Sequence, residues 1–431
     1  MTVSPLESVP AHARLRWLVA AGEGRALLAA AMAYFALLAG YYMLRSLREA
    51  FALEVGREHI GTLFYVTFGV MLFVLPLYWF VVARTPRRLL FPAVYATVVV
   101  LFLGIAAGMT LSPGSRTFAA IYFVAVTSLN LFMVSVFWSV MVDAWRSEAA
   151  RRLFGFIAAG GSAGAIAGPA FNSLFVERLG TSWVIVVACC LLVIAIFAGR
   201  RAQAVVAPDG TPGVDRNGRL DVAVGGRAID DLRRLVTSPY LLTIAGLIVA
   251  GQILGGYMYQ EQARYVEGAY TTLGERAALF ARIDLAVNVL SFLFQGAVVG
   301  WLAARGGLKL ALGFVPLLLI GSLVLLALVP LGTVLLATQV FRRAVDYGLF
   351  KPTREMLFTV LNPESKFKSK SLIDTLLQRG GDSAGQATYP LVAGLGLSGV
   401  AWACAGVCVL MLIGALWLGT AFGRQESRAV R

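Results

Sequence analysis

The chain has 431 residues, of which 59% are hydrophobic and only 14% are charged. Soluble domains usually have about 25% charged residues, so this composition excludes an ordinary soluble enzyme or binding domain. A net charge of +14 would suggest a nucleic-acid partner in a soluble protein. Here the apolar residues come in blocks of about 20, the length that crosses a bilayer as helix. The composition therefore predicts an all-α polytopic membrane protein with the lipid bilayer, and no nucleic acid, as partner.

Twelve apolar segments follow one another along the chain, and each is predicted to be a transmembrane helix. The first is long enough to span and has no tidy cleavage site, so it is expected to be a retained helix. An even number of spans places both termini on one side of the membrane. The predicted spans are 26–46, 60–83, 89–111, 117–142, 153–176, 181–199, 239–261, 275–303, 308–330, 332–358, 372–396 and 399–422.

Basic residues are distributed unequally between the two faces that these spans define. The N-terminus, the even-to-odd connections and the C-terminus hold 24 of the 37 basic residues, and the opposite face holds 5. Loops that carry the excess of arginine and lysine stay in the cytoplasm. We therefore expect a multi-pass protein of the bacterial inner membrane with both termini cytoplasmic.

The only long polar connection divides the chain into two halves with six spans each. It covers residues 200–238 and is rich in Gly, Asp and Arg, which predicts a flexible cytoplasmic linker. The expected domains are an N-terminal six-helix bundle at 1–199 and a C-terminal six-helix bundle at 239–431. We expect the protein to function as a monomer.

The two halves carry similar short motifs at nearly constant offsets. The sequence GGSAG at 160–164 pairs with GGDSAG at 380–385, and ARTPRRLL at 83–90 pairs with ARGGLKLA at 304–311. These matches predict a duplication in which both copies have the same orientation, because each half has an even number of spans. The expected fold is major-facilitator-like, with two pseudo-symmetric bundles.

Polar residues at helical spacing lie within the apolar spans. Ionisable residues inside a bundle face water or one another and often mark a substrate path, and guanidinium groups suit phosphate or carboxylate. The alternative is that the ions pair with each other and only fix helix packing. The candidate anion-binding residues are Arg45, Arg48, Arg282, Lys351, Arg354 and Arg379. The candidate coupling or ion-pair residues are Glu49, Glu261, Asp284, Asp346, Asp374 and Asp382, and the cavity-lining polar candidates are Asn288 and Tyr257.

The tenth span has the highest density of charge. It contains FRRAVDYGLFKPTREM at 341–356. On an ideal helix, Arg343, Asp346 and Arg354 share one face, together with Tyr347 and Phe350. Proline lacks an N–H group, so Pro352 is expected to break this helix at a polar site, as occurs in transporters. The alternative is that residues 351–355 simply lie at the cytoplasmic end, where charges are readily solvated.

Several catalytic patterns are absent from the sequence. No GxxxxGK[ST] motif occurs, so the protein is not expected to hydrolyse ATP. No HExxH and no convincing catalytic triad occurs, and the four cysteines fall in apolar runs without nearby ligands, so we expect no enzyme activity, metal or cofactor.

One stretch resembles a known family. Residues 350–385 read FKPTREMLFTVLNPESKFKSKSLIDTLLQRGGDSAG. This is similar to the most recognisable segment of the ATP/ADP translocases of plastids and intracellular bacteria, in which x-P-T-K-E-M precedes E-S-K-x-K-x-K-x-x-I-D and R-x-G-x-S-G. The matching positions here are Pro352, Thr353, Glu355, Met356, Glu364, Ser365, Lys366, Lys368, Lys370, Ile373, Asp374, Arg379, Gly381 and Ser383.

The resemblance also implies roles for individual residues. The sequence LRSLREAF at 44–51 is similar to the family's L-R-x-x-K-D stretch. The resemblance places the two family lysines at Arg48 and Arg354 and the tryptophan of the fourth span at Trp138. This chain has arginines at both lysine positions and no acidic residue near 128–130. In these features it resembles the shorter, divergent branch of the family found in free-living bacteria.

Together these observations predict a secondary transporter of a small anionic metabolite. The expected substrate is phosphorylated, with ATP and ADP among the candidates, and Arg48 and Arg354 are expected to converge on it from the two halves. Rocking of the halves would alternate access. One alternative is proton-coupled symport of another organic anion. A further alternative, of another class, is a non-transporting membrane scaffold or lipid-handling protein.

Overall fold

The computed structural model describes residues 23–85, 87–145, 147–206, 237–358 and 377–429. These residues form helices joined by short turns, and no strand occurs among them. Most of the predicted linker, and Asp374, lie outside the described residues. The helices are α1 Glu23–Val55, α2 Ile60–Arg84, α3 Arg87–Leu111, α4 Arg116–Ala144, α5 Ser147–Leu179, α6 Thr181–Val206, α7 Pro239–Ala269, α8 Leu273–Leu293, α9 Gly300–Leu328, α10 Gly332–Val345, α11 Lys351–Leu357, α12 Gln378–Thr388, α13 Pro390–Ala393 and α14 Gly396–Ala429.

Within the described ranges, nine helices are long and apolar enough to cross a membrane: α1, α3 to α9, and α14. The other three predicted spans also form helices, as α2, as α10 followed by α11, and as α12 followed by α13. Large apolar side chains such as Phe73 and Leu111 are more than three quarters exposed, as lipid-facing residues are. The all-α membrane architecture is confirmed, and the count of twelve crossings stays a prediction.

Contacts between the described residues define two compact units. Unit 1 takes in residues within 1–48 and 72–218, and unit 2 takes in residues within 49–71 and 219–431. The last two turns of α1 and the first half of α2 therefore group with the C-terminal helices. The predicted division into 1–199, 200–238 and 239–431 stays a prediction.

Unit 1 is built around aromatic side chains on α3 and α4. Phe91, Phe102, Phe123 and the phenols Tyr95 and Tyr122 are fully buried. Each buried phenol hydroxyl donates to a backbone carbonyl of another helix. Tyr95 donates to Met133 O on α4 at 2.8 Å, and Tyr122 donates to Leu44 O on α1 at 2.9 Å. The rings therefore stabilise the unit by apolar burial while their polar atoms remain hydrogen-bonded.

A row of glycines on α5 allows close packing against α1. Gly160, Gly164 and Gly168 follow one another at four-residue spacing, which places them on one helix face. A Cβ at Gly160 would lie 2.7 Å from Ala31 O, and one at Gly164 or Gly168 would overlap the α1 carbonyls of Phe35 or Ala39. Small residues permit such helix contact in membranes.

Unit 2 contains the corresponding contact. Gly385 of α12 faces α7, where a Cβ would lie 3.0 Å from Ile253 Cα, and a Cβ at Gly381 would lie 2.9 Å from Gln252 Cβ. The two similar motifs GGSAG and GGDSAG thus pack the fifth predicted span on the first and the eleventh on the seventh. This equivalence supports the predicted internal duplication.

We expect Gly164→Ala to lower the stability of the protein, because the new methyl group has no room between α5 and α1. Overpacking of this kind typically costs about 1–3 kcal/mol. The measurement is thermal unfolding of the purified protein in detergent. Gly155→Ala is the matched control on the same helix, where nothing lies within 4 Å of the added Cβ. Equal unfolding temperatures for the two variants would contradict the proposed contact.

Candidate functional site

The tenth predicted span is a broken helix. Between α10 and α11 the chain forms a π-helical segment, Asp346–Phe350, in which the N–H of Lys351 bonds to Asp346 O, five residues back. Pro352 stands in the first turn of α11, where a missing N–H is tolerated. The sequence-based expectation of an interruption near Pro352 is therefore confirmed, and the interruption adds one residue to the turn that precedes the proline.

A second π-helical segment, Phe294–Val299, joins α8 to α9 and packs on the first. Contact is close at Gly348, where a Cβ would lie 2.8 Å from Phe294 Cβ. Gln295 donates from Nε2 to Tyr347 O at 3.1 Å. A π segment shifts carbonyls out of the regular helical ladder, and this side chain supplies a donor for one of them.

The extra residue changes which side chains share a face. An ideal 3.6-residue repeat places Arg343 with Asp346 and Arg354. In the structure it is Arg342, not Arg343, that lines a common cavity with these two residues. The ideal-helix expectation is wrong at this position because the π segment rotates the two ends of the span against each other.

The cavity lies in unit 2 and contains about 580 Å³ of empty space, counting its open mouth. Among the described residues that line it, three are cationic and one is anionic, which gives the cavity a positive electrostatic character. The neutral remainder is partly polar and largely apolar. The charged lining residues are Arg342, Lys351, Arg354 and Asp346; the other named lining residues are Gln252, Gln378, Ile248, Gly251, Leu254, Val315, Leu319, Phe350 and Met411.

The cations of the cavity are held by several local contacts. Arg354 is 7% exposed, and its Nη2 lies 3.6 Å from the half-exposed carboxylate of Glu355. The ammonium of Lys351 lies 4.3 Å from the centre of the Tyr347 ring, a cation–π distance. Arg342 donates from Nε to Gln339 Oε1 at 2.9 Å. Planar guanidinium groups in such a cavity can bind phosphate or carboxylate through paired hydrogen bonds.

Arg343 makes a buried ion pair instead. Its Nη2 lies 2.5 Å from Oδ1 of Asp284, a carboxylate that is 1% exposed on α8. The side chain of Arg343 is 13% exposed. This arrangement favours the ion-pair interpretation of Asp284, and Asn288 lies half-buried one turn further along the same helix.

A second buried carboxylate, Glu261 on α7, has two partners. It accepts from Tyr389 Oη at 2.6 Å and from Arg264 Nη1 at 3.3 Å. Arg264 also donates to Tyr389 Oη at 2.8 Å, which closes a ring of three groups. The Tyr257 ring packs on Tyr389 with centroids 6.1 Å apart. These contacts join α7 to the segment that follows α12.

The short segment 49–71 of unit 2 is tied to α7 by polar contacts. Tyr259 donates to Glu49 at 2.7 Å, and Glu49 is 6% exposed. Arg57, in the one-turn 3₁₀ helix between α1 and α2, bonds to Glu267 at 3.0 Å. Glu49 thus joins the end of α1 to α7 through its hydrogen bond with Tyr259.

The candidate residues of unit 1 lie on α1 and α4. Arg48 is half-buried, donates to Thr127 Oγ1 at 3.2 Å and lies 5.3 Å from the centre of the Phe123 ring. Arg45, one turn earlier, lies 5.4 Å from the Tyr42 ring. Trp138 donates to Tyr34 Oη at 3.2 Å and packs on aromatic neighbours. Because Arg48 belongs to unit 1 and Arg354 to unit 2, their convergence stays a prediction.

The remaining candidates do not line the cavity. Arg282 is exposed on α8, and Arg379 pairs with Asp382 at 3.3 Å within α12. Sequence reasoning missed Arg342, Gln252 and Gln378 as lining residues. A signal for Arg342 was present in the sequence, because Gln339, Arg342 and Asp346 share a helix face. The adjacent Arg343 was chosen instead as the cation of this turn.

We expect Asp284→Ala to destabilise the protein by about 3–5 kcal/mol, because removing one partner of a buried ion pair leaves the other charge without its carboxylate. Thermal or denaturant unfolding in detergent measures the loss. Asp382→Ala breaks the more exposed pair with Arg379 and should cost at most about 1 kcal/mol. If Asp284→Ala unfolds at the wild-type temperature, the ion pair has no structural role.

Comparison with known proteins agrees with this architecture. Residues 309–423 match the family model described as TLC ATP/ADP transporter. The matched range contains the segment 350–385, so the resemblance to ATP/ADP translocases is confirmed there. No curated protein matches the chain in sequence.

Solved structures of transporters share the fold over nearly the whole chain. A bacterial homolog of the human lysosomal transporter Spinster, in an inward-facing and unoccupied conformation, has 14% identity and a TM-score of 0.52, with 94% of this chain and 97% of that chain covered. The nucleoside transporter NupG has 12% identity and a TM-score of 0.62, with 93% and 99% covered. A POT family transporter in complex with a thioalcohol-conjugated peptide has 11% identity and a TM-score of 0.64, with 94% and 99% covered.

Identities this low show the fold alone, while the family match covers the segment that carries the cavity's charged residues. The chain is an integral membrane protein of the major-facilitator fold, and its residues 309–423 match the TLC ATP/ADP transporter family.

Proposed function

We propose that the protein is a secondary transporter of a small anionic metabolite. The substrate class is phosphorylated or otherwise anionic compounds, with nucleotides among them. The proposal includes insertion in a bacterial inner membrane with both termini cytoplasmic, and function as a monomer. The observation that carries it is the cavity in unit 2, where three cations and one carboxylate line a common space among the described residues.

The electrostatics of this cavity favour an anion. Arginine carries a positive charge at neutral pH, so Arg342 and Arg354 both add positive charge to the cavity. Several positive groups in one partly apolar space repel each other, and a ligand phosphate or carboxylate relieves that repulsion. Asp346 supplies part of the compensation when the cavity is empty. A cation withdrawn from water without a counter-charge costs free energy, and a bound anion removes that cost.

The alternating-access mechanism also belongs to the proposal. In the major-facilitator architecture, two bundles rock about a central site. Arg48 of unit 1, held by Thr127 and Phe123, is proposed to bind anionic groups of the same substrate. If the empty cationic site reorients slowly, transport becomes exchange of one anion for another, as in an ATP/ADP antiporter.

Two alternatives have different consequences. In proton-coupled symport of another organic anion, Glu261 would exchange a proton, and its contacts with Tyr389 and Arg264 would change with protonation. A scaffold or lipid-handling protein would not need the cavity cations for its activity. The match of residues 309–423 to a transporter family supports the transporter over the scaffold.

We expect ATP, a sugar phosphate or a dicarboxylate to raise the unfolding temperature of the purified full-length protein in detergent. Arg342→Gln and Arg354→Gln should each weaken anion affinity about 10- to 100-fold, because a hydrogen bond to a charged group contributes about 1.5–3 kcal/mol. Arg178→Gln, a change of an exposed cation at the end of α5, is the control and should leave affinity unchanged.

Transport into proteoliposomes separates the mechanisms. Exchange requires an anion inside the vesicles, whereas symport requires a proton gradient. The Arg48→Ala and Arg354→Ala variants should lose uptake in either case. Unchanged anion affinity in both cavity variants, or no stabilisation of the wild type by any of the three anion classes, would rule out the proposed anion site.

A further inference from the structure

Two consecutive arginines on α10 are held by chemically different partners. Arg343 bonds to the carboxylate of Asp284 at 2.5 Å, so its charge is neutralised within the protein. Arg342 bonds through Nε to the side-chain oxygen of Gln339 at 2.9 Å, and this partner is a neutral amide. Only Arg342 of the two lines the cavity.

The amide of Gln339 has a fixed orientation. Gln339 is 1% exposed, and its Nε2 donates to Oε1 of Gln262 on α7 at 2.6 Å. Because the amide nitrogen is used by Gln262, the amide oxygen faces Arg342. The backbone of α7 also lies against the guanidinium, since a Cβ at Gly255 would be 3.3 Å from Arg342 Nη1. The guanidinium is thus positioned by two helices.

The amide of Gln339, unlike a carboxylate, does not neutralise the positive charge of Arg342. Buried charges in proteins are usually paired with an opposite charge, and a carboxylate at position 339 would have the same length as the glutamine. Glutamine accepts the hydrogen bond and orients the arginine, but leaves its charge in place. The cavity therefore keeps three cations against the single carboxylate Asp346 among its described lining residues.

We infer that Gln339 is a specificity-determining residue for the charge of the ligand: it positions Arg342 without neutralising it. The residue does not itself line the cavity, so it acts through Arg342. This inference rests on the proposed function, in which the cavity binds an anion.

The test replaces Gln339 with glutamate, which keeps the side-chain volume and the acceptor for Arg342 Nε. The probes are ATP, glucose 6-phosphate and succinate, and the binding assay uses the full-length protein in detergent. For the probe that binds the wild type most tightly, Gln339→Glu should weaken affinity at least tenfold. The unfolding temperature without probe should stay at or above the wild-type value, because a charge-assisted hydrogen bond replaces a neutral one.

The matched control is Gln260→Glu. Gln260 donates to Gln386 at 2.5 Å in a second buried amide pair between α7 and α12, and neither residue lines the cavity. In both variants the partner amide must turn over to donate to the new carboxylate. Gln260→Glu buries a carboxylate whose partner is an amide and not an arginine, so it should lower the unfolding temperature but leave probe affinity within about twofold.

A third variant separates charge from position and covers the case in which Gln339→Glu does not fold. Gln339→Met has similar length, carries no charge and makes no hydrogen bond to Arg342, so it should weaken affinity less than tenfold. In proteoliposomes its KM should rise more than its kcat falls. Full affinity in Gln339→Glu, or a loss of tenfold or more in Gln339→Met, would overturn the inference. A wild type that binds none of the probes would overturn the proposed function, and the inference with it.

Discussion

A guanidinium group that is partly withdrawn from water needs compensation for its positive charge. The structure contains two solutions side by side. Arg343 is compensated inside the protein by Asp284, whereas Arg342 is held by a neutral amide in a cavity. Arg264, whose side chain is 38% exposed, also pairs with a carboxylate, the buried Glu261. The cation that is compensated internally joins two helices, and in the proposed function the cation held by an amide offers its charge to a ligand.

The backbone makes this separation possible. In a regular helix, adjacent residues point about 100° apart, and Arg343 rather than Arg342 would lie on the face of Arg354. The π segment Asp346–Phe350 adds one residue to this turn. Gly348 is needed there because the facing π segment approaches so closely that a Cβ would meet Phe294. The broken helix thus determines which arginine lines the cavity and which one pairs with Asp284.

Much of the architecture could be predicted from the sequence, but the composition of the site could not. Blocks of apolar residues indicated the helices, and the similar motifs GGSAG and GGDSAG indicated a duplication. Arg354 and Asp346 were predicted and line the cavity. Arg342 shares a helix face with Asp346 but was missed, because its neighbour Arg343 lies nearer the face of Arg354 when the helix is taken as unbroken. The partners of Tyr259 and Gln262 were also unpredictable, since they lie 210 and 77 residues away in sequence.

The last turns of α7 connect the cavity cation to the segment 49–71. Tyr259 bonds to Glu49, while Gln262 leads through Gln339 to Arg342. A rearrangement that separates 49–71 from α7 must break the Tyr259 contact and the Arg57–Glu267 pair. That pair is 37% and 40% exposed, so water replaces it at little loss of free energy. The Gln262–Gln339 hydrogen bond is buried, so water does not readily replace it when it breaks. The exposed Arg57–Glu267 pair therefore adds little to the contact between α7 and 49–71, whereas the buried amide pair that orients Arg342 is protected from water.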